Sequence, residues 1–174
     1  LVKGLKMPNE IKGITRASVE ETYAMIEQDL LEAIEVLPLR SAQSSAEIGR
    51  ATKGAAQGLL AKVYLYQEKY KEAETQLQAV MKSNEYSLLS NFSDVWSMDH
   101  NNSQESLFEI QTSGEISYNL GERYSVVVGS RDDSGWSWGL PSSHLEKAFT
   151  DEGDNIRLLW TILHHNQTYV PNDN

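Results

Sequence analysis

The segment GRATKGAAQGLLAKVYLYQEKYKEAE, Gly49 to Glu74, constrains this chain more than any other stretch. Apolar residues fall at Ala56, Leu59, Leu60, Val63 and Tyr64, and again at Tyr70, Ala73, Leu77, Val80 and Met81. Both sets have the three-and-four spacing of one helical face, which predicts a helix, a tight turn and a second helix. The expected spans are Thr52 to Glu68, with Thr52 as N-cap, and Tyr70 to Ser83. Tyr64 and Leu77 are expected in the core of the hairpin.

Leu60, Ala61 and Tyr64, followed by Ala73 and Leu77, resemble the spacing of a tetratricopeptide helix pair. The match is partial, because Gln57 stands where such repeats carry tryptophan and Glu85 where they carry the closing proline. A third helix precedes the pair. Ser18 with Glu21 forms a capping-box pattern, and Val19, Tyr23, Ile26, Leu30, Ala33, Ile34 and Leu37 mark one stripe that Pro38 closes. Residues 17–83 are therefore expected to form tetratricopeptide-like helices packed side by side, since none can bury its apolar face alone.

Past Ser83 the helical period breaks, and residues 84–174 are expected to be loop-rich. Leu107 to Ile110 and Tyr124 to Val128 suggest short strands, and Ser143 with Glu146 suggests the cap of a short helix. The fold expected is mainly α, helical hairpins followed by a loop-rich region with short strands. At 174 residues and 40% hydrophobic content, the chain is expected to be a single domain or part of a larger one. A formal net charge of -10 argues against nucleic acid or an anionic membrane as partner. There is no cysteine, hence no disulfide, thiolate metal site or cysteine nucleophile. No apolar run is long enough to span a bilayer, and the first fifteen residues lack a signal-peptide core.

Several of these segments, taken in order, resemble one family. TRASVEETYAMIEQDLLEAIEVLP from Thr15 to Pro38, GRATKGAA from Gly49 and LAKVYLY from Leu60 are similar to helices of the SusD/RagB family of outer-membrane nutrient-binding lipoproteins. YSLL from Tyr86, the Asn101 to Ser103 turn, FEIQ from Phe108, Gly135 and Trp136 ahead of Leu140 and Pro141, and Asp154 with Arg157 follow in the family's order. The resemblance runs from about Thr15 to about Ile162. It implies a surface-exposed, lipid-anchored protein that binds oligosaccharide or another nutrient and passes it to a TonB-dependent outer-membrane transporter. Tetratricopeptide-like helices would be the scaffold and loops would carry the ligand contacts. The family's lipid-bearing cysteine is not in this chain, which on this reading is an internal segment.

The loop from Ser117 to Gly139 has the chemistry that a sugar requires. A sugar ring offers an apolar face of CH groups and a rim of hydroxyls, so its binder needs flat aromatic surfaces beside directional hydrogen-bonding groups. Tyr118, Asn119, Tyr124, Arg131, Asp132 and Trp138 supply that mixture and are the expected ligand contacts. Either tryptophan of this loop could instead fill the core beneath it. Resemblance to the family's Gly-Trp pattern favours a structural role for Trp136 and leaves Trp138 as the ligand candidate. Trp96 and Trp160 sit beside aliphatic residues and are expected in the core.

Catalytic patterns are weaker. Asp132 and Asp133 are adjacent, whereas a glycosidase needs carboxyl groups roughly 5 to 9.5 Å apart across the scissile bond. His164 and His165 are sequence neighbours that point apart, and His144 has only Glu146 nearby, so no metal site is expected. Without a phosphate-binding loop or nucleophile elbow, the chain reads as a non-enzyme without cofactor. The competing reading is a tetratricopeptide-type scaffold that holds a protein partner and has no sugar site.

Overall fold

The computed structural model describes residues 4, 6–112, 124–131 and 135–162. They fall into two compact units, Leu1–Leu88 with Asn102–Glu109, and Leu89–Asn101 with Ile110–Asn174.

The first unit is helical: α1 (Pro8–Ile11), α2 (Val19–Val36), α3 (Lys53–Tyr66) and α4 (Tyr70–Lys82). The three long helices expected from the apolar stripes are all present. Ser18 caps α2 as its sequence implies, the hydroxyl accepting from the Glu21 amide at 3.1 Å and the Glu21 carboxylate accepting from the Ser18 amide at 3.0 Å. At the far end the Leu37 amide donates to the Ala33 carbonyl before Pro38 stops the helix. Thr52 caps α3, its hydroxyl accepting from the Ala55 amide at 3.2 Å. The turn into α4 is tight: Glu68 takes φ 59, and the Lys69 amide returns to the Tyr64 carbonyl.

Helix α3 packs against both α2 and α4. Ile34, Ala56, Leu60, Tyr64 and Ala73 form the core, with Leu30, Ala33 and Leu37 packed against it. Leu60 is completely buried. The link between α2 and the hairpin is ionic at its edge, where the Glu27 carboxylate accepts from Lys69 Nζ at 2.5 Å and from Gln67 Nε2 at 2.7 Å. Burial raises the affinity of Glu27 for its proton, but the bonds from Lys69 and Gln67 and the Lys69 charge outweigh that and hold the carboxyl below its usual range.

Two glycines of the GRATKGAAQG run explain why this helix start is so poor in side chains. A Cβ at Gly54 would lie 2.4 Å from the Tyr86 ring, and one at Gly58 would lie 2.7 Å from Leu107. The chain after α4 thus returns to lie against the first turns of α3. Tyr86 shares a 2.8 Å hydrogen bond with the buried Thr52 hydroxyl, so the cap residue also fixes the returning chain.

The second unit holds α5 (Tyr124–Val128), α6 (Ser143–Asp151), α7 (Asn155–Thr161) and short 3-10 turns at Phe92–Trp96 and Met98–His100. Helices α6 and α7 pack on one another, and α7 also packs on the first 3-10 turn. Asp154 caps α7, accepting from the Arg157 amide at 3.0 Å and pairing with its guanidinium. The amide bond, together with the Arg157 side chain, holds the Asp154 carboxyl below its usual range.

Four expectations need correction. The strands at Leu107 to Ile110 and Tyr124 to Val128 do not form, and there is no strand among the described residues. Leu107 is spent on packing against Gly58, and the Tyr124 segment is helical, its Val126 and Val127 carbonyls accepting from the Trp136 and Trp138 amides rather than from a partner strand. Leu77 is 42% exposed and lies outside the core, because among the described residues α4 packs chiefly on α3 and buries Ala73 and Val80. The cap of α6 is Ser142, one residue earlier than expected, its hydroxyl accepting from the Leu145 amide. Trp96 is 79% exposed rather than in the core, at the end of a 3-10 turn too short to fold it inward.

Candidate functional site

The loop expected to carry ligand is organised by its backbone. Beyond the last turn of α5, the Gly135 amide donates to the Ser130 carbonyl at 2.7 Å and the Trp136 amide to Val126 at 2.8 Å. The Ser137 amide donates to Gly129 and the Trp138 amide to Val127, both at 2.9 Å. Four successive amides are thereby tied to the end of α5 and the two residues that follow it. Gly135 is required there, since a Cβ would stand 2.2 Å from the Gly129 carbonyl oxygen. Ser137 takes φ 54, a left-handed conformation unusual for a side-chain-bearing residue. Its hydroxyl accepts from the Arg131 amide at 3.0 Å, so the strained residue also fastens the other side of the loop.

This clamp carries two indoles. The rings of Trp136 and Trp138 lie 5.4 Å apart between centroids and are tilted by 60°. That is the tilted arrangement aromatic pairs favour, so each ring steadies the other. Trp136 is 50% exposed and Trp138 62%. Tryptophan is highly buried on average, so two adjacent ones left in solvent are the informative feature of this unit. Chemically the pair offers apolar π faces, with the exposed Arg131 in the same loop as a planar donor.

Of the residues singled out in the sequence, Arg131 and Trp138 are brought together by this clamp. Tyr124 opens α5. Tyr118, Asn119 and Asp132 lie outside the described residues. Trp136, expected to fill the core, is half exposed beside Trp138, a placement that sequence spacing could not show because the left-handed Ser137 lies between them. The first unit has an apolar cleft of about 490 Å³ where Leu30, Leu37, Ala55, Leu59 and Phe108 meet. Among the described residues, no group of three His, Asp or Glu could hold a metal ion, and no helix is long and apolar enough to cross a membrane.

Residues 4–65 match the SusD-like family described as starch-binding, associating with outer membrane. A SusD-like protein from Bacteroides fragilis shares the fold with a TM-score of 0.68 and 29% identity, over 83% of this chain and 29% of that one. A laminarin-binding SusD-like protein matches with a TM-score of 0.66 and 32% identity, over 73% of this chain and 30% of its own. A SusD-like carbohydrate-binding protein from Bacteroides fragilis has the same fold at 24% identity, with a TM-score of 0.70 over 79% of this chain and 26% of that one. No curated protein sequence matches. The helical scaffold and these likenesses agree: residues 4–65 match the SusD-like family and the chain shares the fold of SusD-like proteins, which supports membership of the SusD/RagB-like family. It spans less than a third of the length of the structures it matches.

Proposed function

We propose that this chain supplies part of the glycan-binding surface of an outer-membrane-associated, non-catalytic binding protein. Trp136 and Trp138 are its stacking platform, and Arg131 hydrogen-bonds to hydroxyls at the edge. The observation that carries this reading is the exposed indole pair, held in its loop by four backbone hydrogen bonds. A rigid aromatic face loses little conformational freedom on meeting a sugar ring, which is what a binding platform needs. The family's description and the laminarin-binding relative supply the ligand class. Tyr118, Asn119, Tyr124 and Asp132 are further contacts in this reading, and the full-length protein is lipid-anchored at the cell surface and delivers its ligand to a TonB-dependent transporter.

A glycan array probed with wild type and with Trp136→Ala/Trp138→Ala tests the reading. The expected result is binding of at least one glycan by wild type, its loss in the double variant with helicity unchanged, and no new reducing ends after prolonged incubation. Undiminished binding by the double variant overturns the platform. The apolar cleft beside Leu59 favours the alternative, a helical scaffold for a protein partner. A single helix pair is too short for the extended concave surface such scaffolds use.

A further inference from the structure

We propose that the helical unit holds a second, smaller sugar site, in the cavity bounded by the loop after α2, the turn at Asn84 and the segment 102–109. The cavity has a volume of about 300 Å³. Ligand pockets run from roughly 300 to 1,000 Å³, so this one is suited to one or two sugar rings rather than a longer chain.

Its wall is preformed. The Arg40 guanidinium lies 6.0 Å from the Tyr86 ring centroid and donates to the Asn102 carbonyl at 2.7 Å and to the Glu85 carbonyl at 3.5 Å. The Glu85 carboxylate is held by the Ser41 amide at 2.7 Å and the Ser41 hydroxyl at 2.9 Å. These groups satisfy one another and tie three separate stretches of chain into one frame. Two other lining groups are not used in this way. Among the described residues, no hydrogen bond or ion pair engages the Arg50 guanidinium or the Asn84 amide, although Arg50 exerts a through-space pull on Glu47. Phe108, 53% exposed, completes the lining with an aromatic ring.

This combination selects a ligand class. A planar guanidinium can bridge two adjacent hydroxyls, an amide both donates and accepts, and an aromatic ring receives the CH face of a sugar. A free anion is disfavoured, because the Glu85 and Glu109 carboxylates line the same cavity in a chain of net charge -10. A purely apolar ligand would leave the Arg50 guanidinium and the Asn84 amide without compensation. A neutral monosaccharide, free or at the end of a glycan, meets all three demands.

Amide NMR of the chain titrated separately with glucose, galactose, mannose, xylose and N-acetylglucosamine, each taken well above millimolar concentration, tests the site. Saturable shifts at the Arg50, Asn84 and Ser106 amides are expected with at least one of these sugars, and they persist in Trp136→Ala/Trp138→Ala. Arg50→Ala removes a charged donor and weakens that binding about tenfold or more. Asn84→Gly deletes the amide while keeping the φ of 57 that glycine adopts freely, and weakens it by a few-fold. The proposal is overturned if none of the five sugars shifts those amides, if both variants bind as wild type does, or if the shifts vanish in the double tryptophan variant. Shifts confined to the Trp136 and Trp138 loop overturn this site and leave the indole platform standing.

Discussion

Replacing Gly54 by alanine pits helix propensity against a close approach, and the structure decides the sign. In a helix, alanine is favoured over glycine by at most about 1 kcal/mol, and near the N-terminus by less. The new Cβ, however, would stand 2.4 Å from Tyr86 Cε2 and 2.6 Å from the Tyr86 hydroxyl oxygen. Overpacking of this kind costs about 1–3 kcal/mol. Moving the ring also strains or breaks the Thr52–Tyr86 hydrogen bond, worth about 1 kcal/mol, at the residue that caps α3. The net expectation is a loss of roughly 1–3 kcal/mol. Tyr86→Ala removes the obstacle, so in that background Gly54→Ala should become stabilising by up to about 1 kcal/mol. Urea denaturation of the four proteins, with slopes compared to check that the transition is unchanged, measures both differences. A Gly54→Ala effect of the same sign in both backgrounds would refute the argument that Tyr86 explains the glycine.

Leu60→Ala should cost about 2–5 kcal/mol, while Leu77→Ala, at a position 42% exposed, should cost well under half as much; denaturation midpoints rank the two. Glu27→Gln should lower stability at neutral pH by about 1 kcal/mol or less, since Lys69 is itself partly exposed. Because the Glu27 carboxyl is held below its ordinary value of 4.5 in the folded chain, its contribution is fully present above that value. It fades as the pH falls through the lower folded value, so melting temperatures of wild type and Glu27→Gln should converge in acid and separate towards neutrality.

The helices were legible in the sequence because their signals are local. Ser18 with Glu21, Pro38 and Thr52 mark ends through bonds made within a turn of chain, and the three-and-four spacing marks a face regardless of what covers it. What covers it is not local. Leu77 and Val19 satisfy the same period as Leu60, yet they are exposed because no helix among the described residues packs over them. The two glycines of α3 were visible as residues, but their reason, the return of Tyr86 and Leu107, depends on contacts 32 and 49 positions away. The same holds for the site. Aromatic and polar composition drew attention to the loop, whereas the pairing of Trp136 with Trp138 follows from a left-handed serine and four long hydrogen-bonded returns that no spacing rule contains. Tyr124 to Val128 misled because a β-prone run forms a strand only when another strand is there to receive it.

The most direct measurement of the central claim is titration calorimetry of the full-length protein with the glycan that binds best on the array. Wild type, Trp136→Ala, Trp138→Ala and Trp96→Ala should be compared, the last removing a still more exposed indole outside the pair. If the pair is the platform, each of the first two substitutions weakens binding by at least about 0.5–1.5 kcal/mol, a several-fold change, and Trp96→Ala leaves it unaltered. Equal affinity for wild type, Trp136→Ala and Trp138→Ala, with the fold intact, would contradict the account.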